Sequence, residues 1–277
     1  MSNSQLTTTR LPRRTLAEQM AADLTEAIVS GQIPVGEALP TEPELADRFG
    51  VSRAVVRDAT RMLAARGLVD AQHGRGVFVT ESPVGPFGDA LLLALRRAGA
   101  TVWDVERFEQ MILPEVAAEA AREATDEDLS EIRRLADVYV AQFDSISRRT
   151  WGQPNLSTQD QALLMSAFRA FYGAIFAATH NAVWALLAEP LMRLRAPRNW
   201  DTGDATVDEL VDHERRVMAA YVDAIASRDP DRARADIAAM VTLPTAAETA
   251  MRSTPVGQVA KMDIPLPGFG ATATLSD

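Results

Sequence analysis

The 277-residue chain contains no cysteine. That absence excludes disulfides, thiolate nucleophiles and cysteine-ligated zinc or iron–sulfur centres. Histidine is almost as scarce: His73, His180 and His213 are the three it has. Lysine occurs once, as Lys261, against 27 arginines. No apolar run approaches the roughly 20 residues that span a bilayer; the densest, Ala90 to Leu95, is one short helical face. The N-terminal stretch has arginines but lacks the apolar segment of a secretory signal. A cytoplasmic protein without a membrane partner is therefore expected. The net charge of −10 argues, for the chain as a whole, against a nucleic-acid partner.

What is present is an ordinary globular mix, 47% hydrophobic and 24% charged, with 47 alanines. Alanine and arginine both favour helices. The length suits about two domains. Residues 1–10 are polar and are expected to be disordered. Leu16, Met20, Leu24, Ala27 and Ile28 predict a helix over about 15–30, stopped by Gly31. Pro34, Gly36 and Pro40 make the next stretch a turn. Thr41-Glu42-Pro43-Glu44 starts a short helix that ends near Gly50. Ser52 caps another over 53–66. Two β-prone runs, Leu68–Ala71 and Val77–Thr80, flank a hairpin tip, Gln72-His73-Gly74-Arg75-Gly76. A linker at 83–86 ends this domain of residues 11–82. Beyond it nothing reads as strand. Amphipathic helices fill 87–98, 101–123, 126–147, 159–179, 182–195, 206–228 and 230–242, several with a threonine and an acid or amide three residues on. Residues 87–250 thus form an all-helical second domain, and 251–277 read as a mobile tail.

The second short helix of the first domain carries the chemistry. Val56, Ala59 and Leu63 face one way, while Arg53, Arg57 and Arg61 recur at i, i+4 and i+8 on another face. Arginine's planar fork of donors suits both phosphates and guanine edges. Ser52 and the helix-start amides can hold a phosphate. Such a stripe alone also fits a solvated surface. A preceding short helix, a glycine-containing turn and an arginine-tipped hairpin make the whole a winged helix-turn-helix.

Leu39–Val79, LPTEPELADRFGVSRAVVRDATRMLAARGLVDAQHGRGVFV, resembles the winged-helix domain of GntR-type transcriptional regulators. Ile112–Leu129, Phe171–Val183 and Ala224–Ile237 resemble the FCD effector domain of the FadR subfamily. The resemblance implies DNA contacts from Ser52, Arg53, Ala54, Val55 and Arg57 at the recognition helix, and from His73, Gly74 and Arg75 in the wing. Thr41, at the start of the preceding helix, completes the candidate DNA-binding set. Pro43 stands where the family often has a DNA-contacting arginine.

Many FCD domains hold a divalent metal with an aspartate and three histidines. The matching positions here are Phe168, Tyr172 and Met218, and no histidine lies near Leu191–Pro197. No metal or other cofactor is therefore expected. The resemblance also leads to an arginine that meets an anionic ligand, but Glu109 holds its place, and Leu113 replaces an expected glutamate. The candidate effector-binding residues are Glu109, Phe168, Tyr172, Asn181, Arg193 and Met218. The aromatic members equally fit plain core.

The resulting expectation is a ligand-responsive regulator, a repressor by the commoner mode of the family. It binds a near-palindromic operator in double-stranded DNA as a homodimer and answers a small metabolite. A ligand-independent architectural DNA binder is one alternative. An enzyme is another, disfavoured because no nucleophile–histidine signature, phosphate loop or metal-ligand cluster is evident. Residues 1–82 hold nine arginines and ten acidic residues, so −9 of the net charge belongs to residues 83–277.

Overall fold

A computed structural model describes residues 14–72, 74–80, 84–152, 156–195, 198–201, 205–243, 245–258 and 260–265. The expected disorder at 1–10 and the role given to His73 lie outside the described residues. The chain divides into two compact units, Met1–Phe87 and Gly88–Asp277.

The first unit begins with α1 (Leu16–Val29), whose N-terminus is closed by a reciprocal Thr15–Glu18 capping box. Next come α2 (Glu42–Phe49) and α3 (Arg53–Ala65). Gly50 separates them at φ +64, a left-handed conformation suited to a residue without Cβ. β1 (Val69–Gln72) and β2 (Gly76–Val79) form an antiparallel hairpin with Val69 opposite Val79 and Gln72 opposite Gly76. The stretch expected to be only a turn also pairs with β2. Leu39 donates to the Val77 carbonyl at 2.7 Å, and Val79 donates to that of Glu37 at 2.8 Å. Ala38 thereby bridges Phe78. Met20, Leu24, Leu45, Val56, Leu63, Val69 and Val79 share one core. Leu16, expected on the buried face, is exposed because it lies one turn beyond Met20, where that core ends.

The second unit is a helical bundle. It contains α4 (Val84–Arg97) from Gly88 onward, α5 (Val102–Glu123), α6 (Asp126–Thr150), α7 (Thr158–Ala177) and α8 (Ala182–Leu194). It continues with α9 (Val207–Ala226), α10 (Pro230–Met240) and α11 (Thr245–Arg252). Thr101, Thr125 and Thr206 close α5, α6 and α9 with capping boxes to Asp104, Asp128 and Glu209. Ser157 caps α7 through Asp160. α5 packs on α9 and α10, α6 on α7 and α9, and α7 on α8. The shared core includes Val116, Ile132, Phe171, Phe176, Met192, Ile225 and Ile237.

Three expectations are corrected here. The linker at 83–86 is helical from Val84 onward. Pro86 lies in the first turn, where a missing N–H breaks no intrahelical bond. Strands do occur beyond it: β3 (Arg198–Asp201) and β4 (Ala260–Pro265) pair in parallel. Partners so distant in sequence leave no local signal, because the pairing exists only after the chain has folded back. The segment from 251 is not a free tail as far as it is described. Ala247 and Met251 are fully buried beside Val102 and Trp103. Val102 donates to the Thr254 carbonyl at 2.8 Å, and Val256 to that of Ala100 at 2.9 Å. Few contacts carry that packing, and its apolar residues are too sparse for a periodic signature. Residues 266–277 lie outside the described residues.

Two measurements check this architecture. Met251→Ala should lower denaturant-derived stability by about 2–5 kcal/mol, as for a buried methionine truncated in a packed core; a mobile tail would give no change. Hydrogen bonds from the Thr41, Thr101 and Thr206 backbones hold Glu44, Asp104 and Glu209 below their ordinary carboxylate values. A depressed folded-state value adds stability above the unfolded value, and that stability is lost as pH falls. The thermal midpoint should therefore be flat above about pH 5 and fall below about pH 4. The Asp104→Asn/Glu209→Gln pair should flatten part of that fall.

Candidate functional site

The first candidate site is built on α3. Ser52 Oγ accepts from the Val55 amide at 3.4 Å, which fixes the start of the helix. Val56, Ala59 and Leu63 are completely buried, so the opposite face must point to solvent. Ser52, Arg53, Ala54, Arg57 and Arg61 are all exposed, while Val55 is half-buried between the two faces. Arg57 Nε stands 3.5 Å from Glu42 of α2, and Arg61 Nη1 stands 3.4 Å from Asp58. Arg53 has no ion pair among the described residues and is the most available cation at the helix start. Both arginine pairs are well exposed, so a phosphate can compete for them at little cost. Thr41 is exposed, but its hydroxyl donates to Glu44 at 2.9 Å and serves the α2 cap. In the hairpin loop, Gly74 and Gly76 have φ of +73 and +118. Arg75 between them is exposed, with its guanidinium 5.7 Å from the Phe78 ring. The arrangement offers cations from one helix start and one hairpin tip, the two elements that enter or flank a DNA groove.

The second candidate site is inside the helical bundle, and its centre is a residue the sequence reading did not assign. Arg195 is the C-cap of α8. Its guanidinium lies 4.8 Å from the Phe168 ring and 5.4 Å from the Tyr172 ring, both of α7. Its Nε is 3.5 Å from an Oε of Glu109 on α5, a side chain only 2% exposed. Nη1 of Arg195 is buried and makes no hydrogen bond among the described residues. Tyr221 of α9 stands edge-on to Tyr172 at 5.4 Å. Tyr139 of α6 packs on Phe168 and donates to Glu214 of α9 at 2.7 Å. Burial disfavours the Arg195 charge, but Glu109, Tyr172, Tyr221 and Glu106 outweigh it and hold the guanidinium protonated. Burial likewise raises the Tyr221 and Tyr139 phenols and the Glu214 carboxyl.

Of the six residues named from sequence, the fold brings Glu109, Phe168 and Tyr172 around Arg195. Met218 is buried and lines a separate cleft of about 460 Å3 between α6 and α9, with Ala136, Val140 and Val222. Asn181 lies elsewhere: its Oδ1 caps α8 by accepting from Val183 at 2.9 Å. Arg193 also lies elsewhere, bonded to Glu189 and Asp89 at 2.9 Å each. The two arginines can be told apart by spacing. Glu189 sits four residues before Arg193 and marks a charged outer face. Leu191 and Met192, four and three residues before Arg195, mark the buried one. Tyr221, Tyr139 and Glu214 were missed because one apolar helical face does not say which cluster it joins. Among the described residues, no three His, Asp or Glu side chains converge in a way that suits a metal ion.

Comparison with known proteins agrees with this architecture. Residues 16–79 match the bacterial regulatory proteins, gntR family, and residues 104–243 match the FCD domain. The Uxu operon regulator of Haemophilus influenzae is 29% identical over 177 residues, 62% of this chain and 58% of that protein. The chain thus spans little more than half of that relative's length. The Exu regulon transcriptional regulator of Escherichia coli is 28% identical over 229 residues, 80% of each protein. Among solved structures, Streptococcus agalactiae GntR shares the fold, with a TM-score of 0.55 at 21% identity over 81% of this chain and 97% of that one. A winged helix-turn-helix matched by one family description, followed by a bundle matched by the other over half the chain, leads to one conclusion: this chain belongs to the gntR family of bacterial regulatory proteins and carries an FCD domain.

Proposed function

We propose that this protein is a cytoplasmic, ligand-responsive transcriptional repressor. It acts by binding and not by catalysis, and it holds a near-palindromic operator as a homodimer. The observation that carries this reading is the exposed arginine face of α3, with Arg53, which has no ion pair among the described residues, at its capped start and Arg75 at the wing tip. One such face reads a half-site, and a two-fold dimer reads two. Leu163 of α7 and Val183 and Leu186 of α8 are 47%, 65% and 54% exposed; apolar exposure on neighbouring helices supports the homodimer. Among the described residues no helix is long and apolar enough to cross a membrane.

The helical domain supplies the response. A metabolite seated at the Arg195 cluster changes DNA affinity only if it binds the DNA-competent and DNA-incompetent states unequally. The buried charges make such a difference large, because pairing or unpairing a charge away from water is worth more than at a surface.

Gel-shift titration on promoter DNA at two salt concentrations tests the reading. Binding should be sequence-selective and should weaken steeply with salt. Arg53→Ala should reduce operator affinity by about tenfold to a hundredfold and relax base preference. Arg75→Ala should weaken all DNA sequences more evenly, as loss of a phosphate contact does. Equal binding to operator and scrambled DNA, or an unchanged Arg53→Ala variant, would overturn the proposal.

A further inference from the structure

Tyr172 and Phe168 stand where the family resemblance places two ligands of a divalent metal, and neither side chain suits that role. The third expected histidine falls in the window Leu191–Pro197, and among the described residues of that window the charged side chain that meets Phe168 and Tyr172 is Arg195. Its guanidinium lies 4.8 and 5.4 Å from the Phe168 and Tyr172 rings. A divalent ion at this place would face a fixed positive charge a few ångströms away. The residues present therefore do not fit the metal.

We propose that Arg195 is a built-in cation in place of that metal, and that it receives the anionic group of the effector, a carboxylate, through Nη1. This rests on the ligand-responsive reading above. The guanidinium spends its Nε edge on Glu109, and the rings of Phe168 and Tyr172 exclude water from beside it. Nη1 is left buried without an acceptor among the described residues. A buried unpaired donor is costly, and the cost is removed when a ligand oxygen arrives. A carboxylate removes it best, because a charged acceptor forms the shorter and stronger bond with a guanidinium. The carboxylates and phenols around Arg195 set the rest of the preference. Glu109, Glu106 and Glu214 disfavour a second negative charge, while they and Tyr221 can accept or exchange hydrogen bonds with hydroxyl groups. A monocarboxylate bearing hydroxyls fits this set better than a dicarboxylate.

The test uses the full-length protein with EDTA present. Thermal shift and calorimetry compare gluconate, galacturonate and lactate with succinate and with neutral glucose. At least one hydroxy-monocarboxylate should raise the melting temperature without metal, and glucose and succinate should not. Zinc or manganese added alone should leave it unchanged. Arg195→Gln should weaken that binding by about tenfold to a hundredfold. The Glu109→Gln/Arg195→Gln pair avoids leaving Glu109 buried without its guanidinium, and it should fold while showing the same loss. The proposal is overturned if no carboxylate shifts the protein, if the paired variant binds as tightly as the parent, or if binding requires a divalent ion. A neutral metabolite that releases the operator would sink the carboxylate assignment and leave the ligand-responsive reading standing. Carboxylate binding that leaves DNA affinity unaltered would do the reverse.

Discussion

A guanidinium drawn almost out of water needs charge and aromatic faces on every side it presents. Arg195 obtains these from separate pieces of the chain: Glu109 on α5, and Phe168 and Tyr172 on α7. Tyr221 of α9 leans on Tyr172 and extends the cluster to a further helix. The residue itself ends α8, so its placement depends on the register of all four helices. Removing one partner of such a pair exposes the other to the full penalty of an uncompensated buried charge. The bundle is therefore held by more than oily contacts.

The DNA-facing unit solves the opposite problem. Its charges stay in water, where ion pairs such as Arg57–Glu42 are weak and exchangeable. Rigidity comes from beneath, through Val56, Ala59 and Leu63, and from the backbone pairing of residues 37–39 with β2. A chain of net charge −10 can still present a basic surface, because its acidity lies mainly beyond residue 82. Diffuse electrostatic attraction to a polyanion is correspondingly small.

Much of this was legible before any coordinates. Each threonine with an acid three residues on marked a helix start, because the capping box is local and needs no tertiary partner. The arginine face of α3 followed from spacing alone. The Arg195 cluster was only half legible. Glu109, Phe168 and Tyr172, singled out in the sequence, do gather around one arginine, but Asn181 and Arg193 lie elsewhere, and nothing local marks that arginine as Arg195. A two-residue step on a helix turns a side chain by about 200°, so two arginines separated by one residue reach opposite environments.

The sequence by itself determined where the capped helices α2, α5, α6 and α9 begin, which face of α3 carries charge, and that two domains of different character follow one another. These rest on interactions within one or two turns. Only the tertiary structure decided that β3 pairs with β4, that Met251 belongs to a core, and that Arg195 rather than Arg193 enters the bundle. Each of those depends on residues far apart in the chain coming together, and the free energy that selects them exists only once water has been removed from between them.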